Sequence, residues 1–281
     1  MRMKDILVHL DGSPLAARRL DVAVALAGAQ GAHLAALHAV EALLPPGLTA
    51  DAGGAALGTL LERLREEADA LAQRQRAAFE ARVARDGIAA EWRQADFAAA
   101  ETVALHARYA DLTVLGQPEP GSGAEGAATA MLEAVLFGSG RPVLMVPYAG
   151  DHAGLGRRVM VAWNASKEAA RAVADALPLL RAAAEVTVLA VNPRRGIGGH
   201  GDVPAADITL HLARHGVRAT AEHVVAEDIR EADALLNAVS DRGADLLVMG
   251  AYGHSRIREF MLGGVTRSIL QRMTVPVLLA H

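Results

Sequence analysis

Cysteine is absent from the 281 residues, which excludes disulfides, thiolate metal sites and a cysteine nucleophile. Aromatic residues are scarce, at 3%, so any core must be built from aliphatic side chains. An excess of one charge is missing too. The formal net charge is −4 and no run of like charges marks a tail, which argues against a nucleic-acid binder, whose footprint is a basic patch or stripe. No uninterrupted apolar run approaches the ~20 residues of a membrane span. The opening Met1-Arg2-Met3-Lys4-Asp5 leads into Ile6-Leu7-Val8, an apolar stretch too short for a signal peptide. A cytoplasmic protein with neither membrane nor nucleic acid as partner is the expectation.

What is present is apolar residue, 52% of the chain, and a length that suits two domains better than one core. The sequence also repeats itself. Ala110-Asp111-Leu112-Thr113-Val114-Leu115-Gly116 matches Ala244-Asp245-Leu246-Leu247-Val248-Met249-Gly250 at five of seven positions, and Pro142-Val143-Leu144 matches Pro276-Val277-Leu278 at the same offset of 134. Nearer the start of each copy, Ile6–Ser13 aligns with Val159–Ser166 at an offset of 153, and Gly87-Ile88 aligns with Gly216-Val217 at 129. The drop of 24 assigns about that many extra residues to the first copy, between Val40 and Asp86.

Each copy reads as five short apolar strands alternating with helices. The first half gives strands over Ile6–Leu10, Leu34–Val40, Ile88–Ala95, Leu112–Gly116 and Val143–Pro147. The second gives Val159–Trp163, Val186–Asn192, Ala219–Val225, Leu246–Gly250 and Val275–Ala280, with helices near Lys167–Leu180, Ala205–His215, Asp228–Arg242 and Gly264–Arg272. Ser13-Pro14 predicts a helix start, 45–58 reads as a loop, and Leu60–Asp86 as a long charged helix ended by Gly87. Alternation of this kind implies an α/β fold with parallel sheets and right-handed crossovers. Continuous apolar strands fit sheets covered by helices on both faces. The halves are expected at 1–150 and 155–281, joined by a linker at 150–154.

Ligands of open parallel sheets bind beyond the carboxyl ends of the strands. After the fourth strand of the second half comes Gly250-Ala251-Tyr252-Gly253, then nine residues, then Gly263-Gly264-Val265-Thr266. Glycines allow a close backbone approach, and the unpaired amides at a helix start favour an anion. Thr266 adds a hydroxyl. These features make a backbone cradle for phosphate. The alternative is a connector whose glycines serve only turning and helix–strand packing.

This arrangement resembles the universal stress protein family, whose nucleotide-binding members carry Gly-x2-Gly-x9-Gly-(Ser/Thr). Gly250, Gly253 and Gly263 match, and Gly264 stands where the family has Ser or Thr. The resemblance extends to Asp11-Gly12-Ser13, the repeated Ala-Asp-Leu strand and Arg141-Pro142-Val143-Leu144. It implies two doubly wound, five-stranded parallel sheets with strand order 3-2-1-4-5, paired through their last strands as single-domain relatives pair in homodimers. It also implies ATP, with Mg, as the ligand of the C-terminal half. The backbone at Ala190-Val191 would face adenine and Asn164 the ribose or base. Gly253, His254, Gly263, Gly264, Val265 and Thr266 would wrap the phosphates, with Arg256 and Arg258 within the nine-residue segment.

At the offset of 134, the first half puts Glu119, Thr129, Ala130 and Leu132 where the second has Gly253, Gly263, Gly264 and Thr266. Pro118 and Pro120 stiffen that loop, so the first half is expected not to hold phosphate, although it keeps Asp11 where the second half has Asn164. His211 and His215, four apart on one helix, have no Cys or His-Glu-x-x-His pattern beside them, so no metal is expected. No nucleophile–base–acid set stands out, and no catalytic residue is expected beyond weak ATP hydrolysis at most. Two functions stay open. One is a stress-response regulator that binds an adenine nucleotide in the C-terminal half. The other is a nucleotide-independent stress protein acting through an unknown protein partner or an apolar ligand. Pairing of whole chains is left open.

Overall fold

The computed structural model describes residues 2–40, 54–95, 98–193, 203–251 and 264–281, with residues 54–57 described for backbone only. The first half contains β1 (Asp5–Leu10), α1 (Ala16–Gln30), β2 (His33–Ala39), α2 (Gly54–Asp86), β3 (Ala90–Ala95), α3 (Ala99–Ala107), β4 (Leu112–Gly116), α4 (Glu125–Ser139) and β5 (Val143–Val146). The second contains β6 (Arg158–Ala162), α5 (Lys167–Ala182), β7 (Glu185–Val191), α6 (Ala206–Arg214), β8 (Ala219–Val224), α7 (Glu231–Asp241), β9 (Leu246–Gly250), α8 (Gly264–Arg272) and β10 (Val277–Ala280).

The strands form one continuous sheet of order β3-β2-β1-β4-β5-β10-β9-β6-β7-β8. The two five-stranded units expected from the sequence are therefore fused. Each is parallel throughout, and they meet at a single antiparallel pair, with Leu144 of β5 opposite Leu278 of β10. Fusion satisfies two edges whose unpaired N–H and C=O groups would otherwise face solvent.

Alternate residues of each strand feed opposite layers. On β1, Ile6, Val8 and Leu10 join the layer containing α1 and α5, whereas Leu7 joins the layer containing α3, α4, α7 and α8. Both layers run through both halves. Helix α1 buries Ala16, Leu20, Ala23, Val24 and Ala27, a stripe at i, i+4, i+7, i+8 and i+11. It ends at Gly31, whose φ of 62° is the left-handed C-cap geometry that glycine adopts without strain.

The insertion of the first half is helix. Helix α2 has 33 residues and its counterpart α6 has nine, a difference equal to the 24-residue shift between the repeats. It begins at Gly54, inside the stretch expected as loop. At about 1.5 Å per residue it is ~50 Å long, well over twice the length of a six-residue strand. Phe79 anchors it on the sheet, with its ring 5.8 Å from Trp92 of β3. Leu71 lies over Gly12 just past the end of β1, so the residues before it extend beyond the carboxyl edge of the sheet.

The repeated Ala-Asp-Leu segment now has a physical reason. The Asp245 carboxylate accepts hydrogen bonds from the amides of Gly156 (2.7 Å), Arg157 (3.0 Å) and Arg158 (3.1 Å), clamping the start of β6 beside that of β9. Asp111 does the same for Lys4 (2.7 Å) and Asp5 (3.2 Å) at β1. Among the described residues no helix is long and apolar enough to cross a membrane.

Candidate functional site

Three neighbouring strands of the second half, β7, β6 and β9, end at one edge. Val191 is the last residue of β7 and Gly250 the last of β9, while Asn164 follows β6 by two positions. Helix α8 starts at Gly264. Asn164, Val191, Gly250 and the head of α8 thus share the carboxyl edge. Gly253, His254, Arg256, Arg258 and Gly263 lie outside the described residues.

The turn after β6 is built locally. Asn164 Oδ1 accepts from the Ser166 amide (3.2 Å), Ala165 takes a φ of 58°, and Ser166 Oγ accepts from the Ala169 amide (3.1 Å), capping α5. The first half repeats the turn with Asp11 Oδ1 and the Ser13 amide (2.9 Å). There the serine does not cap: α1 begins at Ala16, and Ser13 Oγ accepts instead from Arg19 (3.2 Å).

Gly250 serves helix packing. A Cβ there would lie 2.5 Å from the Ala169 nitrogen and 2.5 Å from the Glu168 carbonyl carbon, so the missing side chain is what lets α5 press onto the end of β9. Glu168 is buried beside it, 3.6 Å from Lys167 Nζ. At the described start of α8, Gly264 and Val265 are exposed. Among the described residues no heavy atom lies within 4 Å of a Cβ built on Gly264. Thr266 is buried, so its hydroxyl belongs to the interior face of the helix.

The first half differs at the head of its fourth helix and above the end of β4. At the head of α4, Glu125 Oε1 accepts from the Gly121 amide (2.6 Å). Hydrogen bonds from its own amide and that of Gly121 hold its carboxyl below the usual range, so a side-chain carboxylate already sits where an anion would go. Above Gly116, the last residue of β4, lies Arg19, which takes the place of Ala172 in the second half; a Cβ on Gly116 would be 2.7 Å from Arg19 Cδ. Arg19 is buried and forms an ion pair with Asp11. Burial pushes the Asp11 carboxyl up, but the charge and hydrogen bond of Arg19 outweigh this and hold it well below the usual carboxylate range. His9 alongside is pushed down to about 4 by burial and then by the Arg19 charge. It stays neutral at pH 7, with Nε2 2.8 Å from the Ala39 carbonyl. The sequence reading missed Arg19; its signal is an arginine on the otherwise apolar buried stripe of α1.

The model of the universal stress protein family matches residues 3–147 and again residues 156–281. The chain belongs to the universal stress protein family. A universal stress protein of Mycobacterium tuberculosis, Rv1636, is 28% identical over 144 residues, covering 44% of this chain and 96% of the relative. One from Synechocystis, Slr1230, is 44% identical over 46 residues, 16% of each chain. Among solved structures, a universal stress protein from Archaeoglobus fulgidus superposes with a TM-score of 0.74 at 18% identity, covering 98% of this chain and 95% of that one, which shows a shared fold.

The tandem arrangement puts two unequal carboxyl-edge sites in one universal stress protein. One has exposed residues, Gly264 and Val265, at the described start of its helix. The other has an ion pair across its floor and a carboxylate on its helix head. In the second half, His211 of α6 and His215 just past its end have ring centres 4.6 Å apart, and Arg181 donates to the His215 carbonyl (2.7 Å). Among the described residues no group of three or more His, Asp or Glu gathers around a metal-sized space.

Proposed function

We propose that this universal stress protein is a cytoplasmic stress-response regulator that binds an adenine nucleotide, ATP, in its C-terminal half and not in its N-terminal half. The observation that carries this reading is the contrast between helix heads. Gly264 and Val265 at the described start of α8 are exposed, with no described heavy atom within 4 Å of a Cβ built on Gly264, whereas the Gly121 amide ahead of α4 is taken by Glu125. A helix start with free N–H groups and a positive dipole end suits a phosphate. Among described residues, Asn164, Val191, Gly264 and Val265 would hold the ligand. Gly253, His254, Arg256 and Gly263 would complete the cradle, and bound Mg would offset phosphate charge. Regulation would follow from stabilisation of the bound state, with no turnover required.

Gly250 favours a second reading, since packing against α5 already accounts for that glycine. On this reading the chain acts without nucleotide, through a protein partner or an apolar ligand. Thermal unfolding with and without Mg-ATP separates the two. At ~100 times the dissociation constant, binding adds about 2.7 kcal/mol to the state that holds the ligand. The nucleotide reading predicts that gain, and its loss in Gly264→Asp, which places a carboxylate at the helix head. An unchanged midpoint in the wild-type protein supports the second reading.

A further inference from the structure

The carboxyl edge of the N-terminal half holds a pocket of ≈ 600 Å³ that the nucleotide reading leaves unused. That volume suits a small organic molecule. Its walls are largely apolar, with Leu115 from the end of β4 and Ala127 and Met131 from α4. Among the described residues four charged side chains line it: Asp11, Arg19, Glu101 and Glu119. The one cation among them, Arg19, is buried and spent on Asp11. The two remaining acids are exposed: Glu101 in the first turn of α3 and Glu119 on the loop after β4. His9, also on the wall, is neutral at pH 7. Among the described residues the lining therefore carries two acids with no cation beside them on the wall, around an apolar space, an arrangement that repels phosphates and carboxylates.

We propose that this pocket is a second ligand site that takes a small organic amine: an apolar ring or short chain seated against Leu115, Ala127 and Met131, with its ammonium group at the acidic mouth formed by Glu101 and Glu119. Selectivity comes from charge, because the apolar walls accept any body of the right size. At separations of several ångströms near a protein surface, one favourable against one unfavourable charge contact is worth roughly tenfold in affinity.

Three probes with one ring and different charge test this: 2-phenylethylamine, 2-phenylethanol and phenylacetate, titrated into the full chain at pH 7 and low salt. The amine should bind roughly tenfold tighter than phenylacetate, with the alcohol between. Glu101→Lys with Glu119→Lys should reverse that order. Ala127→Trp fills the pocket from an exposed helix position and should abolish amine binding while leaving the melting temperature unchanged. The proposal is overturned by phenylacetate binding as tightly as the amine, by no amine binding at all, or by amine binding that survives Ala127→Trp. AMP competing for the same pocket would also overturn it.

Discussion

A methyl group added at Gly250 and one added at Gly264 meet opposite surroundings. The first runs into the backbone of α5 at 2.5 Å, and the second meets open space. Overpacking against backbone that cannot rotate away costs about 1–3 kcal/mol. Gly250→Ala should therefore lower the urea midpoint clearly, while Gly264→Ala should stay within ~0.5 kcal/mol of wild type. In the N-terminal half, His9 links stability to pH. Its pKa is near 4 when folded against an ordinary 6.5, so between those values the unfolded chain binds the extra proton. Its contribution is complete above pH 6.5 and is lost as pH falls toward 4, amounting to about 3 kcal/mol. Asp11, held below its ordinary range, keeps its contribution above that range and loses it at still lower pH. Urea unfolding at pH 7.5 and pH 4.5 should show a steep loss in the wild-type protein and a smaller one in His9→Gln, which keeps a donor for the Ala39 carbonyl. An equal loss in both would contradict the assignment.

Among the elements, the aspartate that opens β4 and β9 is the strongest structural signal in the repeat. Removing the Asp245 carboxylate leaves three amides at the start of β6 without their acceptor. Asp245→Ala should cost ~1–3 kcal/mol, measured by chemical denaturation, and Asp245→Asn less, since one acceptor oxygen remains. The Ala-Asp-Leu repeat was legible as a repeat, but its purpose was not, because a clamp between segments some 90 residues apart leaves no local pattern. Strand and helix alternation was readable because parallel strands buried on both faces are continuous apolar runs. The start of α2 was not, since Gly53, Gly54 and Gly58 read as loop and tertiary context overrides weak propensity. The glycine spacing pointed to the carboxyl edge, and there Gly250 faces a helix. Arg19 went unread because its partner Asp11 lies eight residues away across a turn, a pairing that leaves no local pattern.

At the level of the whole molecule, the antiparallel contact of β5 with β10 joins the halves. Gln117 reinforces it, donating to the Leu270 carbonyl (2.8 Å) and accepting from the Tyr148 amide (3.2 Å). Separated from its partner, the second half would present β10, whose residues are all buried in the full chain, as a bare apolar edge. A fragment of residues 156–281 should therefore sediment as a dimer, and a stable monomer would show that the joined edge is not needed. The account rests on unequal halves: exposed residues at the described start of α8, and a Glu125 carboxylate already on the Gly121 amide ahead of α4. Isothermal titration of the full chain with Mg-ATP tests this most directly. The account predicts one nucleotide per chain, with binding lost in Gly264→Asp. Two per chain, or none, would contradict it.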